Sequence, residues 1–98
     1  MIVVLTAEAE CDLEAIGDTI ARDSPERAIS FIEELRDACL GLATFPERFP
    51  LVPRYEASGL RRRVHGRYLI FYRVEADRVA IIHILNGAQD YEALLFPD

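Results

Sequence analysis

Lysine is absent: all eleven cationic side chains among the 98 residues are arginine, set against seventeen acids for a formal net charge of -6. Proteins bind duplex DNA or RNA without sequence preference by neutralising phosphates, so this balance excludes a nucleic-acid coat and confines any such contact to a local patch. No apolar run exceeds a few residues, too short to span a bilayer. The start, MIVVLTAEAE, lacks a basic segment and turns acidic, which argues against a secretory or transit peptide and makes the cytoplasm the expected location. Cysteine is scarce. Cys11 and Cys39 fit neither a disulfide framework nor a metal knuckle, and both fall in helical patterns where a buried free thiol is common.

Chemistry-bearing motifs are missing as well. There is no glycine-rich phosphate loop, no His-x-x-x-His or Cys-x-x-Cys, no nucleophile elbow, and serine occurs only three times. Metal, nucleotide-cofactor and acyl-transfer readings therefore have no support, and no cofactor is expected. The enzyme class that survives is metal-free RNA cleavage, which needs a base, an acid and cations for the phosphorane; His65, His83, Tyr68 and the arginines could supply them.

The charge that is present is unevenly spread. Residues 1–50 hold eleven acids against four arginines, whereas residues 51–98 hold six against seven, with no basic residue other than arginine and two histidines. Five of those arginines lie in GLRRRVHGRYLIFYRV, residues 59–74, which contains no acid. The length suits a single domain, residues 1–98, with one core.

Ile2 to Leu5 reads as a strand closed by Thr6, which caps a helix with Glu8 and Glu10 near its positive end. Leu13, Ile16 and Ile20 recur at helical spacing, and the helix ends near Arg22. Ser24 and Pro25 open a second helix running to about Ala43, with Phe31, Ile32 and Leu35 on its apolar stripe; the short join predicts an antiparallel hairpin. Gly17 would lie across from Ser30, where close helix approach could offset its cost. TFPERFPLVPRYEASG, with three prolines, reads as a long loop, either functional or a carrier of chain across the sheet. Two tight turns, at Gly66-Arg67 and Ala76-Asp77, then make residues 60–86 an antiparallel meander, and the tail from Ala88 to Leu95 a short helix. The predicted class is α+β: a helix hairpin on an antiparallel sheet with Ile2 to Leu5 as an added edge strand.

Two-residue turns fix the register of the meander. One face then holds Leu60, Val64, Leu69, Phe71, Ala80, Ile82 and Ile84 with Arg62 and Arg73, and is expected to pack under the helices. The other holds Arg61, Arg63, His65, Tyr68, Ile70, Tyr72, Val74, Val79, Ile81, His83 and Leu85. Its rows run Arg63, Ile70, His83 and Arg61, Tyr72, Ile81. Arginine and tyrosine interleaved with aliphatics have the composition of a protein-interface core, which predicts a platform open to a partner.

The order strand, helix hairpin opened by DSPE, proline loop, then GLRRRVHGRYLIFYRV and ILNGAQD resembles the ParE branch of the RelE/ParE toxin superfamily over nearly the whole chain. That resemblance implies a toxin of a type II toxin-antitoxin pair, held inactive by a ParD-like antitoxin, that poisons DNA gyrase by binding it, with no covalent chemistry, no membrane partner and no sequence-specific DNA binding of its own. Its expected target surface is Arg61, Arg63, Tyr68, Tyr72 and His83. Its expected antitoxin contacts are Leu13, Ile16, Ile20, Phe31 and Leu35. Two other readings accompany it: a RelE-like ribosome-dependent mRNA endoribonuclease using His83 or His65 with Arg61 or Arg63, and a toxin fold kept as an inactive binding partner. His83, Asn86 and Gln89 stand where relatives typically carry arginine, histidine and arginine, so three basic positions are neutral or titratable here, which weakens the nuclease reading.

Overall fold

The computed structural model describes residues 1–97. Ile2–Leu5 forms β1, and Thr6 joins it directly to helix α1, Ala7–Ala21. The Thr6 hydroxyl accepts the Ala9 amide and donates to the Ile81 carbonyl at 2.8 Å, so one side chain caps the helix and fastens its start to the sheet. Ser24 caps α2, Pro25–Leu40, with Pro25 in its first turn, and a 3-10 turn over Gly41–Ala43 extends it to the expected end.

The meander follows as β2 (Leu60–His65), β3 (Tyr68–Val74) and β4 (Arg78–Asn86), and α3 (Tyr91–Leu95) closes the chain. Gly66 turns the first hairpin with φ of 60°, a conformation that costs glycine nothing. Strand order is β1-β4-β3-β2. β1 runs parallel to β4, so the sheet is mixed, with the expected edge strand added to an antiparallel meander. None of the helices among the described residues is long and apolar enough to cross a membrane.

Both faces of the sheet are covered. The helix hairpin packs Ala9, Leu13, Ile16, Leu35, Ala38 and Leu42 against Ile70, Tyr72, Val79, Ile81 and Ile84. On the opposite face Val52, Tyr55, Tyr91, Leu95 and Phe96 cover Leu60, Leu69, Phe71 and Leu85. The proline segment supplies part of that cover. The Val52 amide donates to the Leu60 carbonyl, the Arg62 amide donates to the Pro50 carbonyl, and Leu51 bridges Arg61, so the segment lines the outer edge of β2 and carries the chain from one face to the other. An open edge is thereby closed.

Alternation sorted the residues of β2, β3 and the first half of β4 into two sets as expected, but the face assigned to the helices is the reverse of the one observed. The set containing Arg61, Arg63, Tyr68, Ile70 and Tyr72 lies on the helical side, and the set containing Leu60, Leu69 and Phe71 lies under the loop and α3. A bulge also enters β4. Tyr72 pairs with Ile81 as expected, but beyond it Phe71 pairs with His83 and Ile70 with Ile84, so Ile84 joins the helical-side core and Leu85 the opposite one. Two smaller corrections concern Cys11, which is exposed rather than buried, and Gly17, whose neighbour across the hairpin is Ile32, not Ser30.

Candidate functional site

The four arginines of β2 and β3 are spent inside the molecule. Arg61 donates through Nη1 to the carbonyls of Glu47 and Phe49, at 3.0 and 2.7 Å. Arg63 donates to the Ala38 carbonyl at 2.8 Å and lies over the Phe49 ring. That carbonyl is in the last turn of α2, where the helix dipole favours a cation. Arg62 donates to the Tyr91 hydroxyl at 2.7 Å and Arg73 to the Ser58 carbonyl. The basic unit therefore faces backbone carbonyls of α2 and of the proline segment, with one side chain reaching α3.

Tyr72 is fully buried and donates to the Pro46 carbonyl at 2.6 Å. Burial raises its pKa above the usual phenol value. With Arg61, it pins residues 46–49 over the end of the helical layer. His83 is also committed: its Nδ1 lies 2.8 Å from Asp12 Oδ2, which accepts the Ile84 amide as well, so the pair ties α1 to the bulge in β4. Of the five residues expected to meet a target, Tyr72 is out of reach, and Arg61, Arg63 and His83 are held by internal bonds, because they point at the helices and not away from them.

Leu13, Ile16 and Leu35, expected to meet an antitoxin, are likewise core residues between hairpin and sheet. Ile20 and Phe31 are only partly buried, and with Tyr68 they line a cleft of about 360 Å³ beside Arg27, Gly66 and Arg67. Phe31 tilts against both Tyr68 and His65, with centroids 5.6 and 5.9 Å away, and the Arg27 guanidinium sits 5.0 Å over its ring. Arg27 is also bonded to Glu34. Arg67 makes no side-chain bond or ion pair among the described residues. The structure thus unites three sequence-predicted residues from two separate groups, Ile20, Phe31 and Tyr68, around one free guanidinium.

Sequence reasoning missed Arg67 as the unpaired cation beside this cleft, although its place in a two-residue turn was a signal, since turn side chains project from a sheet and lack cross-strand partners. A second hollow continues past it along Leu69, Asn86, Gly87 and Ala88. There the Gly87 amide donates to the Arg67 carbonyl, and Asn86 and Gln89 hold the following turn through the amides of Ala88 and Asn86. An aromatic and aliphatic floor with an arginine at the rim can bind a protein segment by apolar burial and a directed ion pair. No group of three or more histidine, cysteine or acidic side chains that could hold a metal occurs among the described residues.

Comparison with known proteins agrees with this fold. A family model described as ParE toxin of type II toxin-antitoxin system, parDE, matches residues 3–91. Among solved structures, the chain is similar to one titled chromosomal ParDE TA system from P. aeruginosa, at 22% identity and a TM-score of 0.76, covering 88% of this chain and 95% of that one. It is also similar to one from the toxin-antitoxin complex RelBE2 of Mycobacterium tuberculosis, at 23% identity and a TM-score of 0.66, covering 90% and 92%. No curated protein matches.

Proposed function

The chain belongs to the ParE toxin family of type II toxin-antitoxin systems, and from that premise we propose that it inhibits DNA gyrase by protein-protein binding and is silenced by a ParD-like antitoxin. The observation that carries this reading is the family match over residues 3–91, and the geometry refines it. The proposed target surface is the cleft of Ile20, Phe31 and Tyr68 with Arg67 at its rim, replacing the Arg61, Arg63, Tyr72 and His83 platform. The antitoxin's disordered segment would fold into the same cleft over Ile20 and Phe31, so that neutralisation is occlusion. Ordering such a segment lowers affinity per unit area and leaves it open to proteolytic release. Binding without covalent chemistry is supported by the commitment of Arg61 and Arg63 to carbonyls, which leaves neither guanidinium free for a phosphate.

Purified protein tests this in a gyrase supercoiling assay. Inhibition is expected, with at least about a tenfold loss of potency in Arg67→Glu and Tyr68→Ala, in keeping with the energetic weight of arginine and tyrosine anchors. Arg78→Gln, remote from the cleft, should match the wild type. Unimpaired gyrase, together with message cleavage on translating ribosomes that His83→Ala abolishes, would replace the proposal with a RelE-like one. No effect on gyrase, ribosomes or growth would leave an inactive binding partner.

A further inference from the structure

The two edges of the sheet are treated differently. Along β2 the outer edge is covered by Pro50, Leu51 and Val52, and the strand itself carries Arg61, Arg62 and Arg63. β1, at the other end of the order β1-β4-β3-β2, pairs on one side alone, with β4. Natural sheet edges are protected by charge, proline, a bulge or a covering segment. Ile2-Val3-Val4-Leu5 has no charge and no proline, its register with β4 is regular throughout, and no other described strand pairs with it.

Local geometry fixes which groups this edge offers. The Thr6 amide donates to the Ile81 carbonyl, so the alternate residues Ile2, Val4 and Thr6 turn their backbone groups towards β4, and those of Val3 and Leu5 point outward. The side chains of Val3 and Leu5 pack against the helical-side core, which leaves Ile2 and Val4 on the opposite face, 69% and 38% exposed. The edge thus presents unpaired backbone groups with apolar side chains beside them in water.

Length and symmetry select the occupant. Helix α1 begins at Ala7, so the edge accepts a strand no longer than β1 itself. In an antiparallel copy with Val4 opposite the partner's Val4, Val3 faces the partner's Leu5, and the two-fold repeats this at the other end, so every outward amide and carbonyl of the two strands is paired. Ile2 then lies beside the partner's Thr6 on the face that Val4 shares. Neither strand holds a charged residue to oppose this contact between two chains of net charge -6.

We propose that β1 is a self-association edge: two copies of the chain pair antiparallel through Ile2–Leu5 about a two-fold axis at Val4 and join their sheets into one. This edge is separate from the cleft of Ile20, Phe31 and Tyr68, and its pairing does not depend on gyrase being the target. Contact along one short strand falls below the roughly 1,200 Å² of standard interfaces, so the dimer is weak and reversible.

Sedimentation of the full chain from about 10 μM to about 1 mM should show monomer passing to dimer, the range of weak contacts. Val4→Lys, which sets like charges opposite each other on the axis, should abolish the dimer, while Val64→Lys, at an exposed apolar position on β2, should not. Register is tested by cysteine pairing in a Cys11→Ser background under oxidised glutathione. Val4→Cys should give a disulfide-linked dimer, because residues opposed at a non-hydrogen-bonded site have Cα atoms about 4.5 Å apart, within disulfide reach. Ile2→Cys should not, although Ile2 is the more exposed, since the two copies of that residue would stand about 13 Å apart along the strands. A chain that stays monomeric at the highest concentration, a dimer lost in Val64→Lys, or Ile2→Cys linking as fast as Val4→Cys would overturn the proposal. So would hydrogen-exchange protection of the Val3 and Leu5 amides that arises only when an antitoxin is added, which would assign the edge to that partner instead.

Discussion

Cys39 and Tyr72 are buried acids near the seam where α2, the proline segment and the sheet meet. Burial pushes the Cys39 thiol from 9.0 up to about 12, with nearby Arg63 opposing the shift only in part. Because the unfolded thiol ionises first, this group's contribution to stability is intact below pH 9 and is lost as pH rises towards the folded value. The steepest slope is about 1.4 kcal/mol per pH unit. Tyr72, whose pKa is also raised by burial, adds a loss in the same direction above its unfolded value of 10.0. Denaturant melts between neutral and strongly alkaline pH should therefore show a decline starting near pH 9 that is shallower in Cys39→Ala. A decline of equal slope in that variant would place the alkaline loss elsewhere. A thiol reagent at neutral pH should modify exposed Cys11 at once and Cys39 only on unfolding.

At the scale of elements, Gly17 and the β4 bulge show how differently local and tertiary facts are encoded. Gly17→Ala should raise stability by up to about 1 kcal/mol, since alanine is the better helix former and its methyl meets Ile32 at ordinary distance; an unchanged or lower midpoint in urea would show that the hairpin needs the glycine. Caps, helix ends, hairpin turns and the edge strand were legible because each rests on a few adjacent residues, such as Thr6, Ser24-Pro25 and Gly66. Which face of the meander meets the helices was not legible. Both faces are covered and both carry large apolar residues, and Arg61, Arg63 and Tyr72 are long enough to lie on the helical side while their polar ends reach carbonyls of another segment. The bulge was equally hidden, for it is stabilised by Asp12, 71 residues away from His83 in sequence. The site suffered most from this, and of its ten expected residues only Ile20, Phe31 and Tyr68 share an accessible cleft.

Taken whole, the molecule separates its charges: the hairpin is strongly acidic, and the remainder holds eight arginines against seven acids. An acidic antitoxin segment would meet opposite fields at the two places it could lie. On the outer surface of the helix hairpin it faces a surplus of carboxylates, and salt would help it by screening repulsion. In the Ile20, Phe31 and Tyr68 cleft it meets Arg67, and salt would oppose one exposed ion pair while leaving apolar burial nearly untouched. The screening length falls from about 10 Å at 0.1 M salt to about 3 Å at 1 M, and a single exposed pair contributes on the order of 1 kcal/mol or less. Affinity for the antitoxin measured across that range should therefore fall by no more than about fivefold, and Arg67→Gln should flatten the dependence. A rise of tenfold or more with salt would instead move the antitoxin onto the acidic hairpin, and a fall far beyond fivefold would mean that a cluster of ion pairs, not the aromatic floor, holds it.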